Sequence, residues 1–182
     1  MEDYGGLVTP EMLARIGVEG EPEFAVDEVC RSEIRRYVVA TMDDNPLWYD
    51  EEFAKKTKYG PGVAPGSYAL RAVNEWHRDM GTPDPNRNLG PDDDGIQSTK
   101  PSVRSYPAGV QSFHGGDDVT YIQLPKVGDR ISATIQLVEI VEKSGRSGKF
   151  IVVYSDKIFK NQHGETLAIH RSSSVARRVK KD

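Results

Sequence analysis

Four stretches in the second half of the chain alternate apolar and polar residues, and no other feature constrains the fold as strongly. They cover residues 119–124, 131–141, 150–159 and 166–175. Alternation with a period of two over this length is typical of half-buried β-strands. The segments between them are short and contain Gly, Asn, Asp, Ser and Lys, as turns between antiparallel strands do. The sequence therefore predicts an antiparallel meander of four strands.

The first half of the chain carries the signals of a short strand and two short helices. Phe24 and Val26 alternate with polar neighbours, which predicts the strand. Ser32 precedes an apolar stripe with helical spacing and is expected to cap the first helix. That helix must end near the Asp-Asp-Asn-Pro turn at residues 43–46. Asp50 is expected to cap the second helix.

A longer amphipathic helix is predicted for residues 67–80, followed by a long loop. The buried stripe of this helix consists of Leu70, Val73, Trp76 and His77. From residue 82 to residue 107 the chain is dense in Pro, Asp, Asn and Gly and lacks apolar periodicity, which predicts a loop. A lid, an arm that docks a partner and a disordered segment are the alternatives for this loop.

Length and composition predict one folded domain. A chain of 182 residues, 37% of them hydrophobic, can bury a single core without disulfides or metals. We expect an N-terminal leader at residues 1–22 and one domain at residues 23–177, with the loop 82–107 inserted after the long helix. Residues 178–182 form a basic tail.

Charge, cysteine content and hydropathy argue against several classes of protein. The net charge of −4 argues against a nucleic-acid-binding protein, which needs a positive face. Cys30 is the lone cysteine, so an internal disulfide and a thiolate metal cluster are excluded, and we predict no metal site. No apolar run approaches the roughly 18 residues that span a bilayer. The acidic N-terminus is unlike a signal peptide, so we expect a cytoplasmic protein without a membrane partner.

The most specific motif connects the two short helices with the start of the long helix. It consists of Asp43-Asp44-Asn45-Pro46-Leu47-Trp48-Tyr49-Asp50, then Phe53-Ala54, then Ala64-Pro65-Gly66. This motif resembles that of the MaoC-like dehydratases and (R)-specific enoyl hydratases. Their stretch reads Asp-x-Asn-Pro-(Ile/Leu)-His-x-Asp, followed by Phe-Ala and by an Ala-His-Gly that opens the central helix. The match fails at the histidine, where this chain has Trp48.

Turn residues in the second half narrow the resemblance to one subfamily. Gly128-Asp129, Glu142-Lys143 and Asn161-Gln162-x-Gly164-Glu165 are similar to features of the N-terminal, FAS1-like dehydratase domains. The resemblance extends from about residue 23 to residue 177. It implies an α+β hot-dog fold, in which an antiparallel sheet wraps around a central long helix. In that subfamily one hot-dog unit often lacks the acid/base pair, and its partner supplies the chemistry.

The resemblance also assigns roles to individual residues. Asp43 is the candidate catalytic residue that would hold and activate a water, and a backbone N–H near Gly66 would bind the thioester oxygen. Trp48 stands where an imidazole would share the proton transfer, and an indole neither accepts nor relays a proton near neutral pH. The substrate-binding residues implied by the resemblance are Asn45, Trp48, Ala64 and Gly66.

Each of these residues also has a structural interpretation. Asp43 can instead close the turn before Pro46, and Trp48 can be a packed or acyl-lining aromatic. Gly66 can serve only as a tight junction between loop and helix. His114 is a second catalytic candidate, because it could replace the missing base from the start of the sheet, but a surface or structural histidine is the alternative.

The expected function is that of one subunit of an acyl-thioester hydratase/dehydratase, which interconverts 2-enoyl and 3-hydroxyacyl thioesters as in fatty acid metabolism. This chain would bind the acyl group, and a second hot-dog subunit in a heterodimer would supply the Asp/His pair. No cofactor is expected apart from the coenzyme A or acyl carrier protein that carries the acyl group. The basic residues eligible to meet carrier phosphates are Lys55, Lys56, Lys58, Arg71, Lys100 and Arg104.

Two other functions remain open at this point. One is a self-sufficient hydratase or thioesterase that uses Asp43, with His114 or a neighbour as the proton partner. The other is a homodimer that binds acyl thioesters without turnover.

Overall fold

A single antiparallel sheet of five strands organises the structure, a computed structural model that describes residues 4, 6–73, 106–146 and 148–178. The strands are β1 (Glu23–Phe24), β2 (Val110–Tyr121), β3 (Ser132–Gly145), β4 (Gly148–Lys160) and β5 (Thr166–Arg178). Their order across the sheet is β1-β3-β4-β5-β2. The helices are α1 (Pro10–Ala14), α2 (Arg31–Ala40), α3 (Glu51–Lys55) and α4 (Tyr68–Ala72), with a 3₁₀ turn at Pro46–Trp48.

The predicted meander is confirmed for β3, β4 and β5, whose strands are longer than the alternation indicates. The prediction that β2 joins the meander next to β3 is wrong, because β2 pairs with β5 at the far edge of the sheet. β3 and β4 pair up to Gly145 and Gly148, so the Ser/Gly-rich turn predicted at residues 144–148 is mostly strand. β2 begins at Val110 instead of residue 119. The part of β2 before residue 119 contains Gly115 and Gly116, and the register shifts between His114 and Gly116. Such a bulge interrupts the alternation, which is why the sequence pattern does not reveal this half of the strand.

The short helices lie where the sequence predicts them, and one cap differs. Asp50 caps α3 as expected, because its Oδ1 accepts the backbone N–H of Phe53 at 3.0 Å. The prediction that Ser32 caps α2 is wrong, because the N-cap is Cys30 and makes no side-chain cap bond. The Ser32 hydroxyl lies 3.1 Å from the Cys30 sulfur instead.

Helix α4 begins after Ser67 as predicted, and its described part ends at Ala72. Val73 departs from helical geometry, with φ −124° and ψ 61°, and its carbonyl accepts the Lys157 ammonium at 2.6 Å. The stripe predicted an uninterrupted helix here. Residues 74–80, the loop 82–107 up to residue 105, and residues 179–182 of the basic tail lie outside the described residues.

Two core clusters lie at opposite ends of the sheet. The first core cluster packs α2 and α4 onto the sheet and includes Ile34, Val38, Ala64, Tyr68, Ala69, Ile131, Ala133, Phe159, Leu167 and Ala168. The second core cluster consists of Leu7, Met12, Leu137, Ile140, Ile151, Val153 and Ala176. Leu7 and Met12 belong to the segment predicted as a leader, and they are 2% and 1% exposed. Part of that segment therefore packs on the sheet.

Candidate functional site

The polar residues of the motif close the turn between α2 and α3. The backbone N–H of Asp43 donates to the Val38 carbonyl at 2.9 Å, which anchors the turn to the end of α2. The Asp43 Oδ1 accepts the N–H of Asn45 at 3.2 Å. The Asn45 Oδ1 in turn accepts the N–H of Leu47 at 3.0 Å and caps the 3₁₀ turn. Both side chains thus make local bonds typical of Asx turns.

Trp48 is half-buried and packs between the first core cluster and a third, smaller cluster of Leu47, Ala54 and Val63. Its Nε1 is buried and has no hydrogen-bond acceptor among the described residues. A buried donor without a partner costs about 1–3 kcal/mol. The side chain at the position of the missing histidine is therefore anchored by apolar contact, not by a polar network.

A cleft of about 220 Å³ is lined by Trp48 and by residues of α2, the 3₁₀ turn and α3. Its charged lining residues are Arg31, Arg35, Asp50 and Glu51, and Arg31 forms an ion pair with Glu51. Positive and negative groups are therefore balanced in this cleft.

Ala64 and Gly66 hold the chain close to β2 at the start of α4. Ala64 is completely buried, and its N–H donates to the Pro125 carbonyl at 2.8 Å. A Cβ on Gly66 would lie only 2.7 Å from Cδ1 of Tyr121, so the aromatic ring occupies the space that a side chain would need. Gly66 is thus required for this packing, whatever its N–H does.

A hydrogen-bonded cluster beside Gly66 joins α2 to α4. The Tyr37 hydroxyl donates to the Ser67 Oγ at 2.8 Å, and the rings of Tyr37 and Tyr68 meet edge to face with centroids 5.5 Å apart. The Arg71 guanidinium carbon lies 6.0 Å from each ring centroid. Arg71 also pairs with Glu33, N to O, at 3.3 Å. In the sequence, Tyr37 falls on the apolar stripe that follows Ser32. The sequence signal for this hydrogen bond is a tyrosine on a buried stripe, because a buried tyrosine hydroxyl needs a hydrogen-bond partner.

Burial and charge shift the pKa values of three groups around this cluster. Burial raises the pKa of the Tyr68 hydroxyl, and the positive charge of Arg71 opposes part of the rise. Burial also raises the pKa of Tyr121, with a smaller contribution from Tyr37. Burial opposes ionisation of Glu33, but hydrogen bonds from Arg36 and Arg71 outweigh it and lower the pKa of this carboxyl.

His114 lies on the sheet away from this cluster. Its Nε2 is 3.1 Å from Asp117 Oδ2, and the Nε2 of His170 is 2.9 Å from Asp117 Oδ1. His114 and Tyr121 are seven positions apart on β2, a span of roughly 20 Å along a strand. The structure thus does not bring His114 to the start of α4, while Trp48 and Ala64 meet at the first core cluster.

In the described part of the chain, no three His, Cys, Asp or Glu side chains are placed to bind a metal ion. No helix there is long and apolar enough to cross a membrane.

The family model for the "FAS1-like, dehydratase domain region" matches residues 14–170, which include the motif, α4, strands β1 to β4 and the start of β5. The chain belongs to this family. The MaoC-like resemblance and the hot-dog fold predicted from the sequence are thereby confirmed. No curated protein sequence matches the chain significantly.

Solved structures share the fold of this chain. The ChsH1-ChsH2 complex from Mycobacterium tuberculosis contains a chain with a TM-score of 0.68 and 16% identity, over 94% of this chain and 92% of that one. A MaoC-like dehydratase from Rhodospirillum rubrum has a TM-score of 0.53 and 16% identity, with 89% and 94% covered. A monoamine oxidase regulatory protein from Archaeoglobus has a TM-score of 0.54 and 27% identity, with 88% and 91% covered.

Proposed function

We propose that this protein is the acyl-binding subunit of a MaoC-like acyl-thioester hydratase/dehydratase, and that a second hot-dog subunit supplies the Asp/His pair. The observation that carries the proposal is the packing of Trp48 at the position of the family's histidine. Family membership supports the reaction class.

The chemistry explains why the missing histidine matters. In hydration, a base removes a proton from water, the hydroxyl adds to C3 of the 2-enoyl thioester, and a proton is delivered to C2. This requires two groups that move protons near neutral pH. The described histidines are His114 and His170 on the sheet and His163 in the turn before β5, so none lies in the α2–α3 segment beside Asp43.

Two further observations support an acyl-binding role with a partner. Trp48, Tyr37 and Tyr121 surround the start of α4 with aromatic surface, which suits an apolar chain better than a polar reaction centre. The neighbouring Mycobacterium tuberculosis structure is itself a complex of two differently named proteins. The reaction needs no cofactor beyond the coenzyme A or acyl carrier protein that carries the substrate.

Hydration of crotonyl-CoA and of a longer enoyl-CoA tests the proposal. The purified chain is assayed alone and after co-expression with a hot-dog protein encoded beside it. Turnover is expected only with the partner, and Asp43→Asn in this chain should leave the rate of the complex within a few-fold.

Turnover by the chain alone, lost in Asp43→Asn, would contradict the proposal and favour the self-sufficient enzyme. Binding of acyl-CoA without turnover in any combination would favour the non-catalytic homodimer.

A further inference from the structure

We propose that the face of the sheet turned away from α4 binds a second copy of this chain. The inference goes beyond the proposed function and does not depend on it, because the first core cluster and α4 occupy the opposite face. The centre of the proposed contact is an apolar row, here called the valine stripe. It crosses four neighbouring strands through directly paired residues, in the order Val141, Val152, Val175 and Phe113.

Alternation along β4 shows which way the valine stripe points. Ile151 and Val153 belong to the second core cluster and Phe159 to the first, so these side chains lie on the core side of the sheet. Val152 points to the other side, because successive side chains of a strand alternate. None of the three core clusters includes a residue of the valine stripe. The stripe is therefore apolar surface that no described core covers, and its Phe113 is 46% exposed.

One side of the valine stripe is basic. Lys143 lies two residues beyond Val141 on β3, and Arg177 lies two residues beyond Val175 on β5, so both share the face of the stripe. Both side chains are exposed, and within the described residues neither cation has a carboxylate within 4.0 Å. The Arg177 guanidinium carbon lies 5.7 Å from the centroid of the Phe113 ring, at the rim of the stripe.

The other side of the stripe carries a net negative charge. Arg171 donates to both carboxylate oxygens of Asp156 at 2.8 Å, so these two groups neutralise each other. Asp118 pairs in register with Arg171, and Glu139 stands two residues before Val141. The bonds to Asp156 raise the pKa of Arg171 most, and the charges of Asp118 and Glu139 add to the rise. Two exposed carboxylates therefore remain beside one neutralised pair.

This arrangement of charge is complementary to itself under two-fold symmetry. A two-fold axis that runs along the valine stripe, between two sheets packed face to face, reverses the strand direction of the second copy. The stripe then meets the stripe of the other copy, and each basic side meets an acidic side. Lys143 and Glu139 are equally far from Val141, so Lys143 of each copy lies opposite Glu139 of the other. A second copy therefore fits both the apolar and the charged part of the face.

The size of the face fits a reversible contact. Four strands spaced by about 4.8 Å and four rows spaced by about 6.7 Å cover roughly 500 Å² on each copy. Two copies together would bury about 1,000 Å², which is near the lower bound for a specific interface. The association should therefore depend on protein concentration.

Sedimentation velocity on the full chain, alone and in complex with its partner subunit, tests the inference. Between about 1 and 200 µM, the range in which a contact of this size is half-formed, the wild-type mass is expected to double. Lys143→Glu and Glu139→Lys each place like charges opposite each other twice, which should raise Kd by at least about ten-fold. Raised salt should weaken the wild-type association.

The double variant Glu139→Lys with Lys143→Glu exchanges the two charges and restores opposite signs across the axis. Its Kd should return to within about three-fold of wild type, since only the positions of the charges differ. Lys56→Glu is the matched control, because Lys56 is exposed and lies at the end of α3, outside this face. It should change Kd by less than about two-fold. Equal thermal midpoints at low concentration show that the variants remain folded.

A wild-type mass that stays constant over the whole range would overturn the inference. So would self-association that Lys143→Glu and Glu139→Lys leave unchanged, because it would place the contact elsewhere, for example along the edge of β2. A double variant that associates as weakly as the single variants would contradict the two-fold arrangement.

Discussion

At the scale of single residues, Gly66 decides how closely β2 approaches the start of α4. A Cβ at this position would lie 2.7 Å and 2.8 Å from two ring atoms of Tyr121 and 3.2 Å from its Cβ. Because Cγ and Cβ stand at the base of the Tyr121 side chain, relief of the clash requires another χ1 rotamer or a shift of β2. The glycine of the family motif therefore has a packing requirement, in addition to any role of its N–H.

Gly66→Ala is expected to destabilise the protein by about 1–3 kcal/mol, the usual cost of overpacking. For a chain of this size, each kcal/mol lowers the thermal midpoint by about 2–4 °C. Gly145→Ala is the control, because its Cβ would make an ordinary contact of 3.4 Å with Phe150. The double variant Gly66→Ala with Tyr121→Ala should lose less than the sum of the single variants. Additive losses would show that the clash with Tyr121 is not the cause.

At the scale of elements, Glu33 of α2 ties that helix to α4. Its carboxylate accepts Arg36 at 2.7 Å within α2 and Arg71 of α4 at 3.3 Å, and its side chain is 25% exposed. Because these bonds lower the pKa of Glu33, they stabilise the fold fully only above the carboxyl pKa of the unfolded chain. The contribution is lost as pH falls through the lower pKa of the folded state.

The difference in unfolding free energy between wild type and Glu33→Gln should therefore depend on pH. Wild type is expected to be the more stable at pH 7, and the difference should shrink below about pH 4.3, the ordinary value for Glu. Urea denaturation at a series of pH values measures this. Arg71→Gln removes one of the two partners of Glu33. In that background, the loss of unfolding free energy caused by Glu33→Gln at pH 7 should be smaller. A difference that stays constant down to pH 3 would show that the ionised carboxylate contributes nothing.

The sequence predicts those elements whose signal lies in their own residues. β3, β4 and β5 are predictable from their long runs of strand-forming residues, although their burial does not alternate strictly, since Ile151, Val152 and Val153 of β4 are all buried. The Asp50 cap is equally local. The first half of β2 is not predictable in this way, because Gly115 is there to let Ser173 approach, 2.7 Å from where a Cβ would stand. In the sequence, a glycine that is required by a residue distant along the chain cannot be distinguished from a turn glycine.

The candidate site shows the same limit. Motif spacing identifies Asp43, Asn45, Trp48, Ala64 and Gly66, and it does not show which of them bond only to their own turn. Other parts of the site arise where segments that are distant in sequence pair with each other. They are Tyr121 and the Tyr37–Ser67 hydrogen bond. Because tertiary structure decides such pairing, no local sequence pattern predicts it.

At the scale of the whole molecule, the order of the strands leaves edges of unequal length among the described residues. β1 at one edge has two residues, while β2 at the other has twelve. Adjacent strands exchange hydrogen bonds through alternate residues, so about half of the β2 amides point away from β5. A long edge strand of this kind can pair with a strand of another chain. Phe113 and Tyr121 are also half-exposed along this strand.

Hydrogen exchange followed by mass spectrometry should show whether the second hot-dog subunit uses this edge. On addition of the partner, peptides within residues 110–121 are expected to gain protection at several amides, because their outward N–H groups acquire acceptors. Peptides in the centre of β4, already paired on both sides, should not change and serve as the internal control. Protection in β2 that rises with the concentration of this chain alone would indicate a homodimer with the same edge. No protection in β2 under either condition would place the subunit contact elsewhere.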